Sequence, residues 1–78
     1  MKFKPFTKIE DVEEFFNHSI LYGKMEMTVI GAYYSDNGIL YIQTVDENRN
    51  EFSMPAIDWF HYAKYKNHQF GKRIEGIE

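Results

Sequence analysis

The side chains best suited to proton transfer or metal binding are the three histidines, His18, His61 and His68, in a chain with no cysteine. Without thiolates, a zinc site would have to recruit carboxylates across the fold, as Asp58 with His61 at i, i+3, and no HExxH spacing is present. The same two residues could pair as carboxylate and imidazole for general-base work. No nucleophile elbow or oxyanion-forming glycine turn accompanies them, so the pair reads as a solvated helical contact. The five glycines, at positions 23, 31, 38, 71 and 76, compose neither a phosphate loop nor a dinucleotide fingerprint. A protein that is not an enzyme and holds no metal and no cofactor is the expectation.

Binding chemistry is better represented. The stretch IDWFHYAKYKNHQFGKR, residues 57–73, interleaves aromatic rings with Lys64, Lys66, Lys72 and Arg73, and has no acid after Asp58. Cations that neutralise phosphates, beside rings that stack on bases, are what single-stranded nucleic acid or a nucleotide requires. Lys64 and Lys66 would equally complement the C-terminal dipole of a helix with no ligand at all. Tyrosine is also enriched at protein interfaces, and His61, Tyr62, Tyr65 and Lys66, with Tyr34 and Tyr41, fit that use.

The elements that must position these groups follow from pattern. Seventy-eight residues, 44% of them hydrophobic, suffice for a single small globular domain spanning 1–78 and one modest core. Thr7 and Glu10 form a capping box, and Ile9, Val12, Phe16 and Ile20 then recur at helical spacing, which predicts a helix over 8–21 stopped by Gly23. The stretch from Met25 to Met54 reads as three antiparallel strands, with Asn37-Gly38 as a two-residue type I′ turn. That register sets Tyr34 opposite Tyr41. One sheet face then carries Met25, Met27, Val29, Tyr33, Leu40 and Ile42 as core; Gly31 suggests a bulge. Pro55 suits the start of a second helix over 56–67, with Ser53 as a cap, Ile57, Trp59, Phe60 and Ala63 inward, and His61, Tyr62, Tyr65 and Lys66 outward. Residues 71–78 read as a loosely ordered tail. The predicted fold is therefore α+β, in the order α-β-β-β-α, with both helices on the Met27/Val29/Leu40/Ile42 side.

No apolar run reaches the roughly 20 residues that span a bilayer, and MKFKPFTK lacks the apolar stretch of a signal peptide. With no cysteine, a soluble, cytoplasmic protein is expected. The net charge of −3 indicates neither an acidic mimic nor a basic binder as a whole. The functional expectation is a small non-enzymatic protein-binding module that self-associates, most simply as a two-fold homodimer, of the kind a phage or prophage accessory protein uses to inhibit or modulate a host complex. The alternative is nucleic-acid or nucleotide binding through residues 59–73, with Lys64, Lys66, Lys72 and Arg73 on phosphates.

Overall fold

Tight turns rather than long helices set the architecture. A computed structural model describes residues 2–75, and their order is β1 (Lys2–Lys4), α1 (Ile9–Glu13), β2 (Ser19–Tyr22), β3 (Met25–Tyr34), β4 (Leu40–Asp46), β5 (Glu51–Pro55), α2 (Ala56–Tyr62), β6 (Ala63–Tyr65), β7 (His68–Gln69) and β8 (Lys72–Ile74). An antiparallel six-stranded sheet runs β5-β4-β3-β2-β6-β7, and β1 pairs with β8 in a separate two-stranded ribbon. The expected α-β-β-β-α order is thereby corrected to a mostly β fold with two short helices. Among the described residues no helix is long and apolar enough to cross a membrane.

The expected helix over 8–21 shrinks to α1, whose Lys8 cap receives no side-chain hydrogen bond, so the Thr7/Glu10 capping box does not form. Asn17, at φ 71°, ends the helical turn, and its N–H donates to the Val29 carbonyl at 2.7 Å. Beyond it, SILY and MEM flank Gly23-Lys24 as two strands of a hairpin with Tyr22 opposite Met25. Gly23, at φ 64°, takes the first central position of this two-residue turn, where positive φ favours glycine. It begins a strand rather than stopping a helix.

The second helix stops at Tyr62 instead of 67, because Ala63 is already extended (φ −110°, ψ 152°) and opens β6. No side chain caps it, Ser53 included. Lys66 and Asn67, at φ 50° and 74°, make the β6–β7 turn with Tyr65 opposite His68. Both central residues at positive φ is the type I′ geometry expected at Asn37-Gly38. That earlier site instead uses a three-residue loop: Gly38 N–H donates to Ser35, Ser35 N–H to Ile39, and Gly38 alone among the three sits at positive φ. The extra loop residue shifts the register by one, so Tyr33, not Tyr34, faces Tyr41, and Tyr34 faces Leu40.

The β4–β5 loop repeats this device with Arg49 at φ 67°. Asp46 Oδ1 accepts the N–H groups of Asn48 and Asn50, each at 2.9 Å, and Oδ2 accepts the Asn50 amide. The Asn50 backbone bond is the main cause that holds the Asp46 carboxyl below its ordinary 3.8. A lowered folded value means the contribution is present above the unfolded value and is lost as pH falls through the folded one. Asp46→Asn is accordingly expected to lower the thermal midpoint at neutral pH, with the difference from wild type shrinking as pH drops below the ordinary carboxylate range. A difference that is the same at neutral and strongly acidic pH would refute the charge as its source.

The core lies on one sheet face. Ile20, Met27, Val29, Leu40 and Ile42 meet Val12 of α1, Ala56 and Trp59 of α2, Ala63, and the flanking Phe6 and Phe70. Thr44, also fully buried there, donates its hydroxyl to the Met27 sulfur at 3.3 Å. Trp59 and Ala63 are inside as expected, whereas Ile57 is 49% exposed and Phe60 half-buried. The expected loose tail from 71 is also corrected: Gly71 is buried, and Lys72–Ile74 pair with Lys2–Lys4. Residues 76–78 lie outside the described residues.

Candidate functional site

Both helices cover the same face of the sheet, and the smallest extent of the molecule, 19 Å, matches one sheet and one helix layer at about 10 Å each. Among the described residues no helix covers the opposite face. The bulge between Val29 and Gly31 moves Tyr33 onto it and Ala32 off it, reversing the alternation expected for those positions. There Tyr33 stacks on Tyr41 with centroids 5.4 Å apart and planes at 15°, and the Tyr33 hydroxyl shares a 2.8 Å hydrogen bond with Ser53. Gln43 lies across Gly31, where a Cβ would come within 2.9 Å of its Oε1. Leu21, Thr28 and Val45 continue the face, and none of these residues is fully buried.

A second concavity forms where the ribbon meets the β6–β7 end of the sheet. Phe15, in the turn after α1, packs edge-on to Tyr65, Phe70 and His18 at 5.1 to 6.5 Å between centroids. Tyr65 Oη lies 3.4 Å from His18 Nδ1, and Phe3 stacks on His68 at 4.9 Å and 20°. With Arg73 these residues line a cleft of about 380 Å³. On the ribbon Lys2 faces Ile74, Phe3 faces Arg73 and Lys4 faces Lys72, so cations from both ends of the chain converge. Lys72 donates to Asp11 at 2.9 Å; that hydrogen bond, reinforced by the charges of Asp11, Glu14 and Glu75, raises the ammonium above its ordinary 10.5. Among the described residues Arg73 has no ion-pair partner.

The residues expected to form one partner surface are dispersed. Tyr41 is on the open sheet face, while Tyr34 accepts the Ile9 N–H at 3.0 Å and so fastens the start of α1. His61 and Tyr62 end α2, with Tyr62 62% exposed and 6.1 Å from the Tyr22 ring. Tyr65 lines the cleft, and the Lys66 ammonium sits 5.4 Å from the Tyr65 ring centroid. The phosphate candidates also divide: Lys64 lies beside Leu21 in the sheet, Lys72 is held by Asp11, and Arg73 enters the cleft. Lys2, Phe3 and Lys4 were not among the expected site residues, although their period-two alternation is a strand signal. Phe15 and His18 were hidden by the helical reading of their segment. Among the described residues no three His, Asp or Glu side chains converge to hold a metal. Comparisons with protein-family models, with curated proteins and with solved structures find no match.

Proposed function

We propose that the protein is a small non-enzymatic binding module that takes a protein partner on the open face of its sheet, a second copy of the chain being the partner available to it in isolation. The observation that carries this reading is the Tyr33–Tyr41 stack, with Tyr33 40% exposed and Leu21 50% exposed on the same uncovered face. Stiff rings bearing hydroxyl groups supply contact area at little entropic cost, which is why such residues concentrate in interface hot spots. Two sheets stacking at about 10 Å would bury this face as a sandwich core does. The two-fold dimer remains the simplest closed assembly for one self-complementary patch.

Sedimentation over a micromolar concentration series tests the reading. Wild type is expected to rise above the monomer mass with concentration. Tyr33→Thr with Tyr41→Thr, which keeps β-branched strand formers, is expected to stay folded and to remain at the monomer mass. A wild type fixed at the monomer mass, together with capture of a host protein that the double variant leaves undiminished, would remove the sheet face as the binding surface.

A further inference from the structure

We propose that the cleft between the β1–β8 ribbon and the β6–β7 hairpin is a binding site for a single nucleotide unit, its base against the aromatic floor and its phosphate on Arg73. This site is separate from the sheet face, so it stands or falls independently of the protein-binding reading. Its volume, about 380 Å³, lies in the range of small-ligand pockets, roughly 300–1,000 Å³.

The chemistry is laid out around the cleft. Phe15 and Tyr65, packed edge-to-face, line it, and so does the Phe3–His68 stack. Base–aromatic stacking tolerates any base because every base has a π-face. Arg73, which also lines the cleft, offers the planar fork that binds a phosphate through two hydrogen bonds. Glu14 also lines the cleft, and its charge acts on the Lys72 ammonium, which pairs with Asp11 of α1. Arg73 is the ribbon cation that lines this cleft, Lys2 and Lys4 lying outside its lining, and one guanidinium suits one phosphate rather than a polyphosphate chain. His18 and Tyr65, with Tyr65 Oη 3.4 Å from His18 Nδ1, add polar groups on the cleft wall. Of segment 59–73, Tyr65, His68, Phe70 and Arg73 share the cleft with Phe3, whereas Lys64, Lys66 and Lys72 lie outside its lining.

The nucleotide can be free or part of a single strand, and titration calorimetry on the full chain separates the two. The probes are AMP, adenosine, inorganic phosphate and a short oligodeoxyadenylate. AMP is expected to bind at least about tenfold more tightly than adenosine or phosphate, since a charge-assisted hydrogen bond is worth that much. Arg73→Ala, with folding checked by its thermal midpoint, is expected to bind AMP no better than adenosine, and Arg73→Lys to recover part of the difference. Oligodeoxyadenylate binding without AMP binding, lost in Arg73→Ala, identifies a strand as the source. Failure of AMP and oligonucleotide alike at millimolar concentration overturns the proposal, as does binding of either that Arg73→Ala leaves unchanged. Should Arg73→Ala fail to fold, Tyr65→Leu is the second variant, and equal binding by it has the same force.

Discussion

Trp59→Ala is expected to leave the protein largely unfolded at room temperature. Trp59 is wholly buried, and its Nε1–H donates to two carbonyls, Ile42 at 3.0 Å and Met54 at 3.1 Å. Those carbonyls belong to neighbouring strands, β4 and β5, so one side chain pins α2 to both. Truncating a buried tryptophan to alanine costs about 3–5 kcal/mol through lost transfer energy and the cavity that remains. The buried Ile42 carbonyl and the partly buried Met54 carbonyl lose this donor as well, at about 1–3 kcal/mol for an acceptor that water cannot reach. Domains of this length have a total stability of about 4–12 kcal/mol, at about 0.05–0.15 kcal/mol per residue. Trp59→Phe separates the terms, because it keeps most of the ring and removes the donor. Urea denaturation should rank wild type above Trp59→Phe and Trp59→Phe above Trp59→Ala. An alanine variant with a midpoint near that of wild type would mean the helix is not anchored through this ring.

How far the sequence specified this fold can be judged at its turns. Trp59 and Ala63 were legible as core, and strands at β3, β4 and β5 were legible from their β-branched and aromatic content. The error in the first helix arose because Ile9, Val12, Phe16 and Ile20 fit a helical period that a short helix followed by a strand also satisfies. SILYGKMEM carried the decisive signal, a glycine at the first turn position between two alternating runs, and glycine as helix stop competed with it. At the C-terminal end, AKYKNHQ was absorbed into a helix although Lys66-Asn67 needs both residues at positive φ, where lysine is uncommon. The pairing of Lys2–Lys4 with Lys72–Ile74 joins the two ends of the chain, and no local pattern predicts such a partner.

The candidate sites were less legible for the same reason. Gly31 suggested a bulge without its consequence, the exchange of Tyr33 and Tyr34 between faces, and the three-residue loop after Ser35, read as a two-residue turn, placed the tyrosine pair one residue out of register. Tyr34 then looked like an interface residue, whereas its hydroxyl accepts the Ile9 N–H. The cleft depends on Phe3, Phe15, His18, Tyr65, His68 and Arg73, which come from five parts of the chain and share a place only once the ribbon closes.

Gly71→Ala is expected to open that ribbon while sparing the large sheet. A Cβ at position 71 would run into the Lys4 carbonyl oxygen and stand 2.6 Å from Phe60 Cδ1. The ring can give way, but the carbonyl belongs to the last residue of β1, in register with Lys72, and moves only if the backbone moves. Overpacking of a filled site costs about 1–3 kcal/mol, and more where the obstacle is main chain. Gly71 does not lie at positive φ, so the penalty is contact rather than backbone strain. Gly38 is the converse control, because nothing lies within 4 Å of its Cβ position while its φ is +81°. Hydrogen exchange distinguishes the two: Gly71→Ala should strip protection from residues 2–4 and 72–74 and leave β3 and β4 protected, and Gly38→Ala should affect the β3–β4 hairpin instead. Adding Phe60→Ala to Gly71→Ala relieves the ring contact and not the carbonyl, so the ribbon should regain only part of its protection. Full protection of residues 2–4 in Gly71→Ala alone would show that β1 does not approach the chain at this point, and the cleft that Phe3 and Arg73 close would lose its wall.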